Sequence, residues 1–267
     1  MRITVRHATT YRYPSTASQA VLALRMTPQG GPGQTVQDWR IEAPGIARAA
    51  HYTDAFGNLV HVVAVPAGHD SLELVAAGTI ETRDTGGVTG YTNEAARSEI
   101  FLRSTPATKP DAAIAALAAR AQGETVLSTM HALMEAVHEA VAYVPESTHR
   151  GTSAVTAFAA GRGVCQDHAH IMLAAARSLG IPARYVTGYL LLEAGADAPA
   201  HHAWIEAGID TLGWVGFDAA NNLCPTDRYI RLTSGLDAAA AAPIRGVRRG
   251  GAEDILHVSV AVSELES

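Results

Sequence analysis

The sequence predicts an α+β protein in which an N-terminal antiparallel β-sandwich precedes a domain of helices and then strands. Short β-rich runs separated by turn clusters occupy the first 97 residues. From Pro110 onward the apolar residues recur at helical spacing, and strand patterns return after the last helix. Helices followed by a block of strands favour an α+β domain over a doubly wound sheet. We therefore predict a β-sandwich over residues 1–97 and a second domain over residues 98–267.

Six β-rich runs predict the sandwich. They cover residues 2–7, 19–25, 35–42, 48–52, 59–65 and 71–82. The segment 54–58 joins two of these runs, and its Gly57 and Asn58 both tolerate the positive φ of a tight hairpin. We expect this segment to be a structural turn and not a functional site.

Four helices and five strands are predicted for the second domain. The helices cover 111–121, 125–142, a segment after Gly151 and 165–179, and the strands cover 183–192, 202–207, 214–218, 228–232 and 255–262. Asp111 and Thr125 are candidate N-caps, and Gly180 ends the fourth helix. We expect residues 86–110 to connect the domains and the alanine run 238–242 to be a surface connection.

Composition excludes several classes of function. With 48% apolar and 17% charged residues the chain can bury a core, and its net charge of −6 gives no basic field for nucleic acid. The apolar run 112–119 is too short to span a membrane, and the first residues alternate like a strand, unlike a signal peptide. We expect a cytoplasmic protein that binds neither nucleic acid nor membranes. Its oligomeric state is left open.

Cys165 is the candidate nucleophile. The glycine-flanked loop 161–163 delivers this cysteine to the first turn of a predicted helix, where free N–H groups and the helix dipole favour a thiolate. The other cysteine, Cys224, is 59 positions away, so no metal-finger or disulfide framework is present. The alternative is that Cys165 is a small buried apolar residue.

A nucleophilic cysteine needs a base and a third group that orients the base. His202 begins one predicted strand, and Asp218 ends the next strand, 16 positions later. Two neighbouring antiparallel strands would bring these side chains together. His201 precedes His202, but successive strand residues face opposite sides, so only one of the two histidines can face Cys165.

Four segments carry a resemblance to a known family. They are GlyValCysGlnAspHisAlaHis at 163–170, ArgSerLeuGlyIleProAlaArgTyrValThrGlyTyrLeu at 177–190, HisAlaTrp at 202–204 and GlyTrpValGlyPheAspAlaAlaAsnAsn at 213–222. With them the sequence resembles the bacterial transglutaminase-like proteins, a branch of the papain-like cysteine enzymes. The turn 54–58 and the ThrThrTyrArgTyr start resemble the β-rich N-terminal region of such proteins.

The resemblance implies a papain/transglutaminase-like α+β catalytic domain with a triad of Cys165, His202 and Asp218. The HisAlaTrp register selects His202 over His201 as the base. The implied reaction is acyl transfer from an amide through a thioester, and many relatives are described as candidate cysteine proteases. Two departures are His168, where the family often has a large apolar residue, and AspAlaAla at 218–220 in place of AspProThr.

Three further residues are predicted to support the site. Trp204 lies on the same strand face as His202 and would wall the site against water. The backbone N–H of Cys165 is the expected first oxyanion donor, and Tyr143 is the candidate second donor. Gln166 follows the nucleophile directly. Asp167, two residues into the helix, is expected to bind backbone N–H groups, a structural role.

Two other classes of function, a zinc site and an inactive peptide-binding module, fit the sequence less well. A zinc site using His168 and His170 is unfavourable because residues two apart on a helix project about 200° from each other. We therefore predict no metal and no cofactor. An inactive peptide-binding module would be expected to lack a triad residue, and all three are present.

For the reaction itself we predict hydrolysis of amide bonds in a peptide or protein substrate, with transfer to an amine as the alternative. A cytoplasmic enzyme meets water at far higher concentration than any one amine. The sequence also contains no acidic calcium loop of EF-hand type.

Overall fold

The computed structural model describes residues 1–17, 19–66, 68–92, 94–193, 200–249 and 255–265. The fold is α+β, as predicted: an antiparallel β-sandwich stands beside a five-stranded antiparallel sheet that carries the helices. None of the described helices is both long enough and apolar enough to cross a membrane.

The sandwich consists of two four-stranded sheets with the orders β15-β1-β6-β3 and β14-β2-β5-β4. Its strands are β1 (Arg2–Ala17), β2 (Gln19–Leu24), β3 (Gln34–Glu42), β4 (Ala50–Thr53), β5 (Leu59–Val65), β6 (His69–Thr82), β14 (Ile244–Arg249) and β15 (Ile255–Glu264). Burial alternates along β2 with the period of two that a half-buried sheet requires. Leu22, Leu24, Leu72 and Leu74 pack between the two sheets as its core.

The division predicted at residue 97 does not follow the sheets. β15, which the sequence placed in the second domain, pairs along its length with β1, and β14, which was not predicted, pairs with β2. β7 (Val88–Gly90) lies within residues 86–110, which were predicted to connect the domains. It pairs with β12 at the edge of the five-stranded sheet. A β-rich pattern predicts a strand but not the sheet edge to which the strand adds.

The second part contains four helices and the sheet β13-β10-β11-β12-β7. Its elements are α1 (Ala112–Arg120), α2 (Val126–Ala140), β8 (Ala142–Tyr143), α3 (Ala154–Ala160), β9 (Arg162–Gly163), α4 (Cys165–Ser178), β10 (Ala183–Leu190), β11 (His201–Ile209), β12 (Gly213–Phe217) and β13 (Tyr229–Gly235). The predicted N-caps are confirmed: Asp111 accepts from the N–H of Ile114, and Thr125 accepts from the N–H of Ser128.

Helix α4 is the centre of this part. It packs against α1, α2, α3 and β11, and its residues from Asp167 to Arg177 are buried. Arg177 fixes the C-terminal end, because its guanidinium donates to the carbonyl oxygens of Phe101, Ala183 and Leu236 at 2.8–2.9 Å. A helix held at its C-terminal end and along its length presents its first residue in a fixed place.

The segment 54–58 forms the predicted turn, and it also joins the two parts. Oδ1 of Asp54 accepts from the N–H groups of Phe56 and Asn58 at 3.0 Å, which fixes the turn. The Asn58 amide then exchanges two hydrogen bonds of 2.9 Å with the backbone of Ser234 on β13. The alanine run differs from the prediction, because Ala241 is fully buried and its carbonyl accepts from Thr233.

Candidate active site

Helix α4 begins at Cys165, as predicted. A Cβ at Gly163 would lie 2.6 Å from Cβ of Asp167, so only glycine fits beside the helix start. Oδ2 of Asp167 accepts from the N–H of Val164 at 2.8 Å and from the hydroxyl of Thr148 at 2.5 Å, which confirms its structural role. The N–H of Cys165 stands at the first helical position, where no intrahelical acceptor exists.

His202 and Asp218 lie side by side at the ends of two paired strands. β11 and β12 are antiparallel neighbours, and Nε2 of His202 is 2.7 Å from Oδ2 of Asp218. Both side chains are buried. Nδ1 of the ring is thus left for Cys165, and the interaction with the Cys165 thiol is one of the causes that raise the pKa of His202. The three predicted triad residues therefore form one connected chain of contacts.

The electrostatics of this chain favour a charged imidazole. Burial opposes the charge on His202, but the hydrogen bonds to Asp218 and Cys165 outweigh it and raise the pKa of His202 to about 10. Burial likewise opposes the charge on Asp218, whereas hydrogen bonds from His202, Tyr229 and Asn221 lower the pKa of Asp218. An imidazolium beside a cysteine is the arrangement that stabilises a thiolate.

Two residues of this site were missed in the sequence. The hydroxyl of Tyr229 donates to Oδ2 of Asp218 at 2.8 Å, and the amide of Asn221 donates to the same oxygen at 2.7 Å. The N–H of Ala220 donates to Oδ1. Asn221 is recognisable as the third residue after a strand-end carboxylate. Tyr229 has no local signal, because it reaches Asp218 only through the pairing of β13 with β10.

Successive residues of the strand β11 face opposite sides of the sheet. Trp204 shares the face of His202, and their rings are nearly parallel with centroids 6.4 Å apart. The ring of Tyr229 stands perpendicular to Trp204 at 5.5 Å, so the imidazole is packed between aromatic rings. Gly188 lies opposite His202, where a Cβ would come within 2.0 Å of the carbonyl oxygen of Ile230. His201 belongs to the other face, where Ala203 and Ile205 join the core under α4.

Tyr143 and Gln166 flank the cysteine. Tyr143 pairs with Gly163 across the two-residue strands β8 and β9, and its side chain is 41% exposed. Burial and then the charges of Cys165 and Asp218 raise the pKa of Tyr143, which places its hydroxyl in the field of the site. Gln166 points its amide toward the carbonyl oxygen of Arg150 at 3.5 Å.

The helix histidines have structural partners. Both ring nitrogens of His168 face carbonyl oxygens at 2.9 Å, those of Val164 and Val141, and so connect the start of α4 to the end of α2. Nε2 of His170 accepts from the N–H of Ala238. These two side chains do not converge on one point. Within the described ranges, no three His, Cys, Asp or Glu side chains are grouped to hold a metal ion.

Two family models match the chain. Residues 113–219 match the Transglutaminase-like superfamily, and residues 3–81 match the bacterial transglutaminase-like N-terminal region. The first match contains Cys165, His202 and Asp218. The second contains most of the sandwich.

Relatives match the chain over nearly its whole length. An uncharacterised protein of Mycobacterium leprae is 31% identical over 278 residues, covering 99% of each chain. An uncharacterised protein of Mycobacterium tuberculosis is 26% identical over 294 residues, covering 99% of this chain and 93% of the relative. Among solved structures, a candidate cysteine protease of Cytophaga hutchinsonii is 25% identical with a TM-score of 0.75, covering 100% of this chain and 92% of its own.

Proposed function

The chain belongs to the transglutaminase-like superfamily, and from this membership and the site geometry we propose that it is a thiol enzyme acting on amide bonds of peptides or proteins. The reaction is acyl transfer through a thioester on Cys165. One observation carries the proposal: Cys165 is the first residue of α4, which packs against the strand β11 of His202, and Nε2 of His202 is 2.7 Å from Oδ2 of Asp218. A nucleophile, a base and an orienting group in contact are what cysteine acyl transfer requires.

Each residue of the proposed triad has its own role in the reaction. The Cys165 thiolate attacks the amide carbonyl carbon, and the imidazolium of His202 gives its Nδ1 proton to the leaving nitrogen as the C–N bond breaks. His202 then removes a proton from water, which attacks the thioester, releases the acid and restores the thiolate. Asp218 holds the ring orientation and stabilises its positive charge in both steps.

Two donors are proposed for the oxyanion that forms in each attack. The first is the N–H of Cys165, because the cap by Asp167 occupies the N–H of Val164 and leaves the next one available. The second is the hydroxyl of Tyr143, which lies beside the loop that delivers the cysteine. Both would be in place before the substrate arrives, so no reorganisation is needed when charge develops.

Water is the proposed acceptor, and an amine is the alternative. The test incubates the protein with a library of glutamine-containing peptides and a tagged alkylamine, then measures ammonia, cleaved backbone and incorporated tag by mass spectrometry. Transamidation releases one ammonia for each tag incorporated, so hydrolysis predicts ammonia in excess of tag, or cleaved peptide, at millimolar amine. Ammonia equal to tag with no cleaved peptide would show transamidation instead. Lys109 is the only lysine, so self-labelling is confined to Lys109 and the N-terminus. Unchanged turnover in Cys165→Ala would overturn the proposed function.

A further inference from the structure

A groove of about 720 Å³ runs between the sandwich and the catalytic part. On the catalytic side it is lined by Gln166, His201 and Arg150. Gln166 directly follows Cys165 in α4, whereas His201 lies on the face of β11 opposite His202. One end of the groove therefore reaches the start of α4, which carries the nucleophile.

The opposite wall comes from the sandwich. Leu256, Val258 and Val260 line it, and because they occupy alternate positions of β15 they share one face of that strand. Tyr11 of the neighbouring strand β1 continues the wall. A stripe of aliphatic side chains along a strand suits an extended peptide whose side chains alternate in the same way.

The floor of the groove is uncharged at neutral pH. His7 from the sandwich and His201 from β11 line it, with ring centroids 5.9 Å apart. Burial and the charge of His201 lower the pKa of His7 to about 4. Burial, with His202 and Arg150 as further causes, lowers the pKa of His201 to about 4. Because both imidazoles are neutral, the charge of the groove is determined by the other residues that line it.

The charged residues that line the groove are arginines. Arg150 and Arg245 line the groove, and no Asp or Glu does so within the described part of the chain. No carboxylate among the described residues forms an ion pair with either arginine. In a chain of net charge −6, the described lining of this groove therefore carries a positive charge. The planar guanidinium of arginine matches a carboxylate in two parallel hydrogen bonds.

We propose that this groove binds the peptide chain of the acyl donor, and that Arg150 selects donors with a carboxylate next to the reactive amide. The proposal rests on the proposed function, because it assigns the groove to the reaction at Cys165. It gives the sandwich a direct part in substrate binding through the β15 wall. Arg150 is a specificity residue in this scheme and takes no part in bond making.

The experiment uses pairs of peptides that differ only by Asp or Asn beside the reactive residue. Binding is measured as protection of Cys165 from iodoacetamide, and turnover is measured separately. We expect the Asp peptide to protect at about threefold to tenfold lower concentration than the Asn peptide. Arg150→Gln should remove this difference and Arg150→Lys should keep part of it. Arg120→Gln, the same charge change on an exposed end of α1, should leave it unchanged.

A second pair of variants tests the sandwich wall. Val258→Asp places a carboxylate in the groove and should weaken protection by the Asp peptide more than by the Asn peptide. Ile255→Asp is the matched control, because Ile255 is exposed on the same strand and does not line the groove. The rate of Cys165 alkylation without peptide shows that each variant keeps an intact site.

The outcomes separate the two proposals. Protection that depends on Arg150 without any product would support the groove and overturn the proposed function. Turnover with equal efficiency for Asp and Asn peptides, or a preference for Asp that survives in Arg150→Gln, would overturn the groove proposal and leave the proposed function standing.

Discussion

The hydroxyl of Tyr229 donates to Oδ2 of Asp218 at 2.8 Å, the same oxygen that lies 2.7 Å from Nε2 of His202. The carboxylate is therefore also held by a residue of β13, a strand that β10 and β11 separate from β12 in the sheet. Tyr229 also packs edge-on against the rings of His202 and Trp204. It is a positioning residue, acting on the imidazole through Asp218.

Tyr229→Phe should lower kcat about tenfold with little change in KM, because one hydrogen bond to a buried carboxylate is worth about 1.5 kcal/mol. The donor lowers the pKa of Asp218, so its loss should move the acid limb of the pH–rate profile to higher pH. Tyr91→Phe is the control, since Tyr91 is exposed and donates to a distant loop carbonyl. An unchanged acid limb in Tyr229→Phe would contradict this positioning role.

Iodoacetamide should alkylate Cys165 far faster than Cys224. Cys165 interacts with the imidazole of His202, whose pKa is raised, whereas burial raises the pKa of Cys224. Peptide mapping over a time course measures both rates in one sample. His202→Ala should slow only Cys165, and equal rates for the two thiols in the wild type would place the reactive cysteine elsewhere.

The charged His202 should make stability depend on pH. Its pKa in the folded protein is about 10, above the reference value of 6.5. Its contribution to stability is therefore complete below pH 6.5 and is lost as the pH rises toward 10. The difference in Tm between the wild type and His202→Gln, followed by thermal melts, should shrink across that range. A difference that grows with pH would contradict the sign of the shift.

Gly163→Ala should destabilise the protein by about 1–3 kcal/mol, the usual cost of overpacking a closed site. The added methyl group would meet Asp167, which caps the start of α4, so Cys165 alkylation should also change. Gly31→Ala is the matched control because a Cβ there has open space. Denaturant unfolding of the three proteins gives the comparison.

Tyr143→Phe should lower kcat about tenfold to a hundredfold while KM stays near its wild-type value, because an oxyanion donor acts in the transition state. The ring contact with His168 is kept in this variant, so the fold should not change. Tyr52→Phe, at an exposed position of β4, controls for loss of a hydroxyl. An unaltered kcat would remove Tyr143 from the oxyanion site.

The contacts predicted well from the sequence are those that short-range patterns determine. The start of α4 at Cys165 follows from its glycine loop, and His202 meets Asp218 because consecutive strands pair. Tyr229 and β14 were missed for a shared reason: their positions depend on which distant strand lies beside them. Local periodicity carries no information about that choice.

The pairing of β15 with β1 places Ile3 opposite Glu264, 261 positions later. During synthesis on the ribosome, β1 and β2 are made before the other strands of the fold, while β14 and β15, which cover their outer edges, are made only after β13. Until then the nascent sandwich exposes two unpaired strand edges, which are sites for aggregation. Completion of the sandwich is thus delayed until β14 and β15 have been made, and a fragment that stops after β13 would keep both edges open.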